Sequence, residues 1–308
     1  MTKIEWPKGK SFAFSIIDDT DNAFVDNIKP IYDYLNSIEL KTTKTVWVYP
    51  PRDQFTGACL EDEDYLSFIK NLKDQGFEIE LHNVGSGNFS REEIITGVEK
   101  FKAHMGYYPQ MHINHSQNPD NIYWGHKRFV PPLSWISKLL FSKRKFEGED
   151  EKSPHFWGDL VTKHIKYTRN HVFNGSNTQK YDDIMPYRVK KKKHSAYWFS
   201  SSDGHTVEEF NFFLSKKNID KLESEGGYCI MYTHFASGFL DENKELNSET
   251  KAALDYLISK NGWFVPSGQL LDYLLEKRTK KTASYWSLLR LDMKWVFDRV
   301  RKKIKFGN

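Results

Sequence analysis

Hydrophobic positions along the chain recur in two periods that take turns. Ser11–Ile17 (SFAFSII) and Thr45–Tyr49 read as strands, and Phe77–His82 (FEIELH) alternates apolar and polar in strict period two. Between them the spacing lengthens to that of a helix, over Pro30–Ile38 with proline in its first turn and over Asp64–Gln75, closed by Gly76. Ser90 with Glu93 makes a capping box that opens a helix running to about Met105 and ended by Gly106, and a fourth strand fits Gln110–Asn114. Strand and helix in turn predict an α/β fold, a parallel sheet under covering helices, with chemistry gathered at the carboxyl ends of the strands.

Beyond about residue 119 the regularity falls away. Pro131-Pro132, a basic run around Lys143–Lys145, an acidic patch at Glu147–Glu151 and the basic Lys190–Lys193 interrupt it, with helices expected around Ser134–Phe141 and Trp157–Ile165 and a strand near Tyr167–Phe173. Order returns near residue 207: a helix over Lys216–Ser224 stopped by Gly226-Gly227, a buried strand over Tyr228–Thr233, a helix over Ser248–Ser259, a strand over Trp263–Val265 and a helix over Ser267–Glu276. The chain thus divides into a body of residues 1–276, elaborated over about 119–205, and a tail of residues 277–308.

Composition adds limits. With 39% hydrophobic and 28% charged residues in 308, the chain has the make-up of an ordinary globular protein that needs no disulfide staples, and only Cys59 and Cys229 are present to form one. The first residues hold no apolar stretch of signal-peptide length, so the expected compartment is the cytoplasm. No window approaches the roughly 20 apolar residues of a membrane span. The net charge of +4 is uneven: residues 277–308 carry eleven Lys/Arg against two Asp/Glu, which leaves the body mildly acidic. Local positive charge of this kind argues against a nucleic-acid binder and for a small-molecule protein with an attachment segment.

Three strand ends carry groups that could bind a metal. Ser11–Ile17 runs into Asp18-Asp19-Thr20-Asp21, Phe77–Leu81 into His82, and Tyr228–Tyr232 into Thr233-His234. Parallel strands bring such ends to one rim, where carboxylate and imidazole suit zinc or a similar divalent ion. Arg169 and Trp124 are candidates for contact with sugar hydroxyls and an apolar sugar face.

At these residues the sequence resembles the polysaccharide deacetylase family of metal-dependent carbohydrate esterases. Phe14-Ser15-Ile16-Ile17-Asp18-Asp19 is similar to the family's first motif, Gly76–His82 to the strand entering its histidine motif, and Cys229–His234 to its late strand ending in histidine. The resemblance covers roughly residues 8–120 and 205–276. It implies a distorted (β/α) barrel of about seven strands, a divalent metal, usually zinc, and removal of acyl groups from amino sugars. By this match Asp18 is the general base, Asp19 and His82 are metal ligands, and His234 is the general acid.

The family's second histidine, four residues after the first, is Ser86 here. A hydroxyl replaces imidazole poorly, so the third ligand must come from elsewhere or metal binding is lost. Met111-His112-Ile113-Asn114-His115 is the nearest source; His115, at the strand's end, is the favoured replacement, and the alternative leaves both histidines as hydrogen-bonding loop residues. The expected activity is metal-assisted deacetylation of a glycan precursor, free or lipid-linked. Its rivals are a deacetylase-like domain that only holds a glycan, supported by Ser86, and a glycoside hydrolase built on the Asp18/Asp19/Asp21 cluster, for which a second carboxylate on another strand end is wanting.

The tail reads as one helix over about 285–306. Trp286, Leu289, Met293, Val296, Phe297, Val300 and Ile304 recur at three and four residues, with Arg290, Lys294, Arg299, Arg301, Lys302 and Lys303 on the rest. That stripe either docks on an anionic membrane or packs on the barrel as a closing helix.

Overall fold

The computed structural model describes residues 4–140 and 145–306. Phe141, Lys143 and Arg144, the end of one expected helix and most of the basic run beside it, lie outside the described residues.

Seven parallel strands close a barrel. In order round the ring they are β1 (Phe12–Asp18), β2 (Thr43–Val46), β3 (Glu78–Leu81), β4 (Met111–His112), β5 (Tyr167–Phe173), β6 (Tyr197–Asp203) and β7 (Tyr228–Thr233), and β7 returns to β1. The barrel is distorted because β1 is shared. On one side β7 pairs with Ala13–Asp18; on the other, β8 (Gly262–Phe264) takes Phe12–Phe14, and β2 meets only Ile17 and Asp18. The ring is therefore shut only at the carboxyl end of β1.

Within the wholly buried β1 the period of two survives as a choice between two apolar clusters. Phe12, Phe14 and Ile16 pack among the covering helices, while Ala13 and Ile17 join a second cluster with Met111, Tyr167 and Ile230. The helices on the sheet are α1 (Val25–Ser37), α2 (Glu63–Asp74) and α3 (Arg91–Met105) in the first half of the chain. The capping box at α3 forms, with Ser90 Oγ accepting from the Glu93 amide and the Glu93 carboxylate accepting from the Ser90 amide, and Gly106 ends the helix at φ +85°. α1 begins earlier than its proline suggested, because Asn27 Oδ1 accepts the Phe24 amide and caps the turn before it.

The segment over 119–205 contributes α4 (Leu133–Leu140), α5 (Gly158–His164), β5, α6 (Thr178–Tyr181) and β6. β6 was not expected, because its apolar Tyr197–Phe199 gives way at once to three serines. Its buried Ser200 and Ser202 replace hydrophobes by bonding inside the core, to the Asp182 carboxylate at 2.6 Å and Thr178 Oγ1 at 2.8 Å. α7 (Val207–Phe213), capped by Thr206 accepting the Glu209 amide, was not expected; α8 (Lys216–Glu225), β7, α9 (Ser248–Ile258), β8 and α10 (Ser267–Lys277) follow as expected.

α11 (Tyr285–Phe306) lies against the barrel, but not by its apolar stripe. Leu288, Leu291, Asp292, Trp295 and Asp298 face inward, again at helical spacing. Asp292 accepts from the Val130 amide at 2.8 Å and the His171 ring at 2.9 Å, and Asp298 accepts from the Asn174 amide at 3.0 Å. Lys302 bridges Asp203 and Glu209 at 3.0 and 2.8 Å.

The closure of the ring rests on an ion pair. Lys44 stands opposite Asp18 in the β1–β2 register, its Nζ 2.9 Å from Asp18 Oδ2, and both side chains are 0% exposed. Removing one partner of a buried pair strands the other charge, so Lys44→Met should lower the unfolding free energy by about 3–5 kcal/mol in urea denaturation. The double variant Asp18→Asn/Lys44→Met should recover much of that loss; a single variant as stable as the parent would show that the seam does not depend on the pair.

Candidate metal centre

Each strand end delivers one part of the site. The turn after β1 carries Asp19 and Asp21 over the rim, His82 follows β3 directly, His115 lies three residues beyond His112 of β4, and His234 follows β7. Four of these side chains meet. The Asp21 carboxylate is 3.4 Å from His82 Nε2 and 3.5 Å from Nε2 of both His115 and His234. Asp21, His82 and His115 each offer a ligand atom within 4.8 Å of the others.

The two histidines are held by their far nitrogens. His82 Nδ1 is 3.1 Å from the carbonyl oxygen of Ile113, which can only accept, so Nδ1 bears the hydrogen. His115 Nδ1 is 3.1 Å from Asn118 Oδ1, and that amide is oriented by its own bonds, donating to the Gly85 carbonyl and accepting the Gly87 amide. Asn83, next to His82, accepts the His115 amide at 2.7 Å and so ties the two ligand-bearing strand ends together. With Nδ1 engaged on the far side, each ring turns its Nε2 toward the carboxylate, the orientation a metal-ligating imidazole takes. Asp21 Oδ1 and His115 Nε2 are moreover buried without a hydrogen-bond partner. One carboxylate oxygen and two imidazoles, second atoms already fixed, fit a divalent ion.

Charge follows the same geometry. Burial works against ionisation of Asp21, but the facing rings of His115, His234 and His82 outweigh it and hold the carboxyl far below the usual carboxylate range. Burial likewise opposes charge on His115 and His234, and Asp21 outweighs it there, raising both above the ordinary imidazole value.

The expected constellation is redistributed. His82 and His115 come together, yet the carboxylate between them is that of Asp21, not Asp19. Asp19 is instead clamped by Arg169, whose Nη2 and Nη1 lie 2.6 and 3.2 Å from its two oxygens, and it stays 4.0 Å from His82 Nε2. Burial would raise its pKa; Arg169, then His82 and His234, bring it below the ordinary value. Asp18, expected as base, has both oxygens occupied, Oδ2 by Lys44 and the Tyr32 hydroxyl and Oδ1 by the Phe235 amide. Trp124 is half-buried under the Arg128 guanidinium, 4.1 Å from its ring centre, and has no contact with the cluster among the described residues. His112 is a core residue bonded to Asn114, its imidazole pushed down to about 3 by burial.

Ser86 has a different task from the histidine it replaces. Its hydroxyl faces both oxygens of Asp53, at 2.8 and 2.9 Å, and so anchors the loop whose Phe55 packs edge-on against the His115 ring. Asn83, Asn118 and Tyr232, whose hydroxyl is 3.4 Å from His234 Nε2, also serve the site. Asn118 and Tyr232 lie only three and two residues from the histidines they serve, whereas Asn83 reaches a partner 32 residues away and has no local signal.

No protein-family profile and no curated protein matches the chain. Solved structures do match its fold. Puue allantoinase superposes with a TM-score of 0.53 at 11% identity, over 90% of this chain and 95% of that one. The GH57-type branching enzyme of Pyrococcus horikoshii does so at 0.50 and 10% identity, over 89% and 72%. A family 4 acetyl xylan esterase from Clostridium thermocellum aligns over 88% of this chain and 98% of that one, at 14% identity and a TM-score of only 0.40. At such identities the likeness is one of fold, the distorted (β/α) barrel.

The geometry makes a prediction about ligands. Elemental analysis of protein reconstituted with zinc or cobalt should find about one equivalent per chain, lost in Asp21→Asn and in His82→Ala but kept in Asp19→Asn. Metal that persisted without Asp21 and vanished without Asp19 would reverse the assignment of the two carboxylates.

Proposed function

We propose that the chain is a metal-dependent hydrolase that removes an acetyl or other acyl group from an amino sugar or glycan precursor, in the making of a cell-surface polysaccharide. The observation that carries this is the placing of an Arg-clamped carboxylate and a histidine at the same rim as a carboxylate–imidazole triad. A divalent ion, zinc by the character of its donors, would supply Lewis-acid polarisation of an acyl oxygen and a lowered water pKa.

The protein's own groups divide the remaining work. Arg169 keeps Asp19 ionised and fixes it bidentately, so the carboxylate is ready to take a proton from an attacking water. Asp21 raises the pKa of His234 against the effect of burial, which suits the ring to give a proton to the departing amine or alcohol. Asp18 positions both: it carries Asp19 as its neighbour and binds the amide that follows His234.

Two observations favour this reading over its rivals. A domain that merely held a glycan was suggested by Ser86, but His115 takes the vacated ligand role. A glycoside hydrolase would need Asp21 as one of its two carboxylates, and three imidazole nitrogens within 3.5 Å crowd both of its oxygens. The buried free cysteines, Cys59 and Cys229, fit a reducing compartment, and with it a precursor assembled on the cytoplasmic side.

Acetate release from N-acetylated amino-sugar oligomers and from acetylated xylan, assayed with the metal-loaded chain, tests the proposal. Asp19→Asn and His234→Ala should each lower kcat by about 10²–10⁴-fold while Asp19→Asn keeps its metal. Full turnover in either variant would remove that residue from the mechanism, and no acetate from any substrate would leave the glycan-binding rival in its place.

A further inference from the structure

We propose that the outer face of α11, together with α4, seats the protein on an anionic lipid surface beside the mouth of the site. The sequence left two uses for the apolar stripe of α11, and the fold separates them. The helix is fastened by its other face, so the stripe stays in water: Trp286 is 74% exposed, Phe297 60% and Ile304 81%. α4 does the same, with Trp135 68% and Leu139 84% exposed and no buried residue of its own. The two are joined at the start of each, where the Tyr285 hydroxyl donates to the Pro131 carbonyl at 2.6 Å. Exposed apolar side chains on two neighbouring helices exceed what a solvated surface ordinarily carries.

Charge selects the occupant. Both acids of α11, Asp292 and Asp298, are turned into the barrel and spent on His171, the Val130 amide and Asn174. Arg301 and Lys303 stay exposed and form no salt bridge among the described residues. The outward side of the helix is thus apolar and cationic. A second copy of the chain docked symmetrically would bring these cations against their equals, whereas an anionic leaflet complements them and takes up the apolar side chains, with Trp286 and Trp135 suited to the headgroup level.

Position gives the surface a purpose. Lys302 and Arg299 of α11 bind Asp203 at the end of β6, two residues before His205, whose ring is 4.7 Å from that of His234. The lipid-facing helix therefore adjoins the rim itself, so a substrate carried on a lipid would arrive where the acid and the metal ligands stand. The seating does not depend on the proposed reaction.

Flotation of the full chain with vesicles tests it, using phosphatidylcholine alone and phosphatidylcholine mixed with phosphatidylglycerol, at low and high salt. The chain should float with the mixed vesicles only, and less at high salt. Each cation near an anionic leaflet is worth about fivefold in partition, so Arg301→Glu/Lys303→Glu should lower it by about twentyfold or more. Trp135→Ser/Leu139→Ser should lower it by about tenfold. All these residues are exposed, so far-UV circular dichroism and Tm should not move. Absence of flotation, or equal flotation of every variant, overturns the proposal, as does a dimer in sedimentation velocity that the same substitutions dissolve while vesicle binding is nil.

Discussion

The site hangs from the carboxyl end of β1, and what holds that end is the buried pair of Asp18 and Lys44. Two charges taken out of water cost several kcal/mol each, and a lone contact would not return that. Here the carboxylate is also bonded by Tyr32 of α1 and by the Phe235 amide, so the pair knits together β1, β2, the first helix and the segment after β7. Since β2 meets β1 at only Ile17 and Asp18, the same residue that closes the ring also sets where its neighbours Asp19 and Asp21 emerge. His234 inherits its place from the same carboxylate, one residue removed. A residue that looks like a catalytic base in the sequence is the peg on which the carboxylate–imidazole cluster is set.

Three carboxylates within four residues would repel one another unless each had its own cation. Asp18 has Lys44 and Asp19 has Arg169, both permanently charged near neutral pH. Asp21 is different, because the groups facing it are all imidazoles, which carry charge only when protonated. At two of them Nδ1 is engaged on the far side, so Nε2 is the atom turned inward. Asp21 is thus the one acid of the three that faces no guanidinium or ammonium group, and that is where a divalent ion would fit.

How much of this was legible in the sequence follows from which interactions are local. The first four strands and their helices declare themselves through period and capping, and the strand ends pointed to the right rim, with His82 and His115 on it. β6 escaped because its short apolar start, Tyr197–Phe199, runs into Ser200–Ser202, of which Ser200 and Ser202 are satisfied by Asp182 and Thr178 from the preceding segment. The choice between Asp19 and Asp21 was beyond reach for a related reason: it is made by Arg169, 150 residues away, which captures the nearer carboxylate. Adjacent motif positions say that a carboxylate is needed at a strand end, while the long-range cation decides which one is free to bind metal.

The C-terminal helix shows the same limit from the other side. A stripe of hydrophobes ordinarily marks the face that a helix buries, because burial of apolar area is its main source of tertiary stability. α11 reverses this through four inward polar groups: Asp292 takes the Val130 amide and His171 of β5, Asp298 takes the Asn174 amide, and Arg299 and Lys302 take Asp203. Leu288, Leu291 and Trp295 between them exclude water, so those bonds form in surroundings where they are strong. Once polar anchoring has fixed the helix, its hydrophobic stripe is not required for folding. A sequence keeps large apolar side chains in water at a cost in solubility, and here polar anchoring leaves that cost unrelieved by the fold itself.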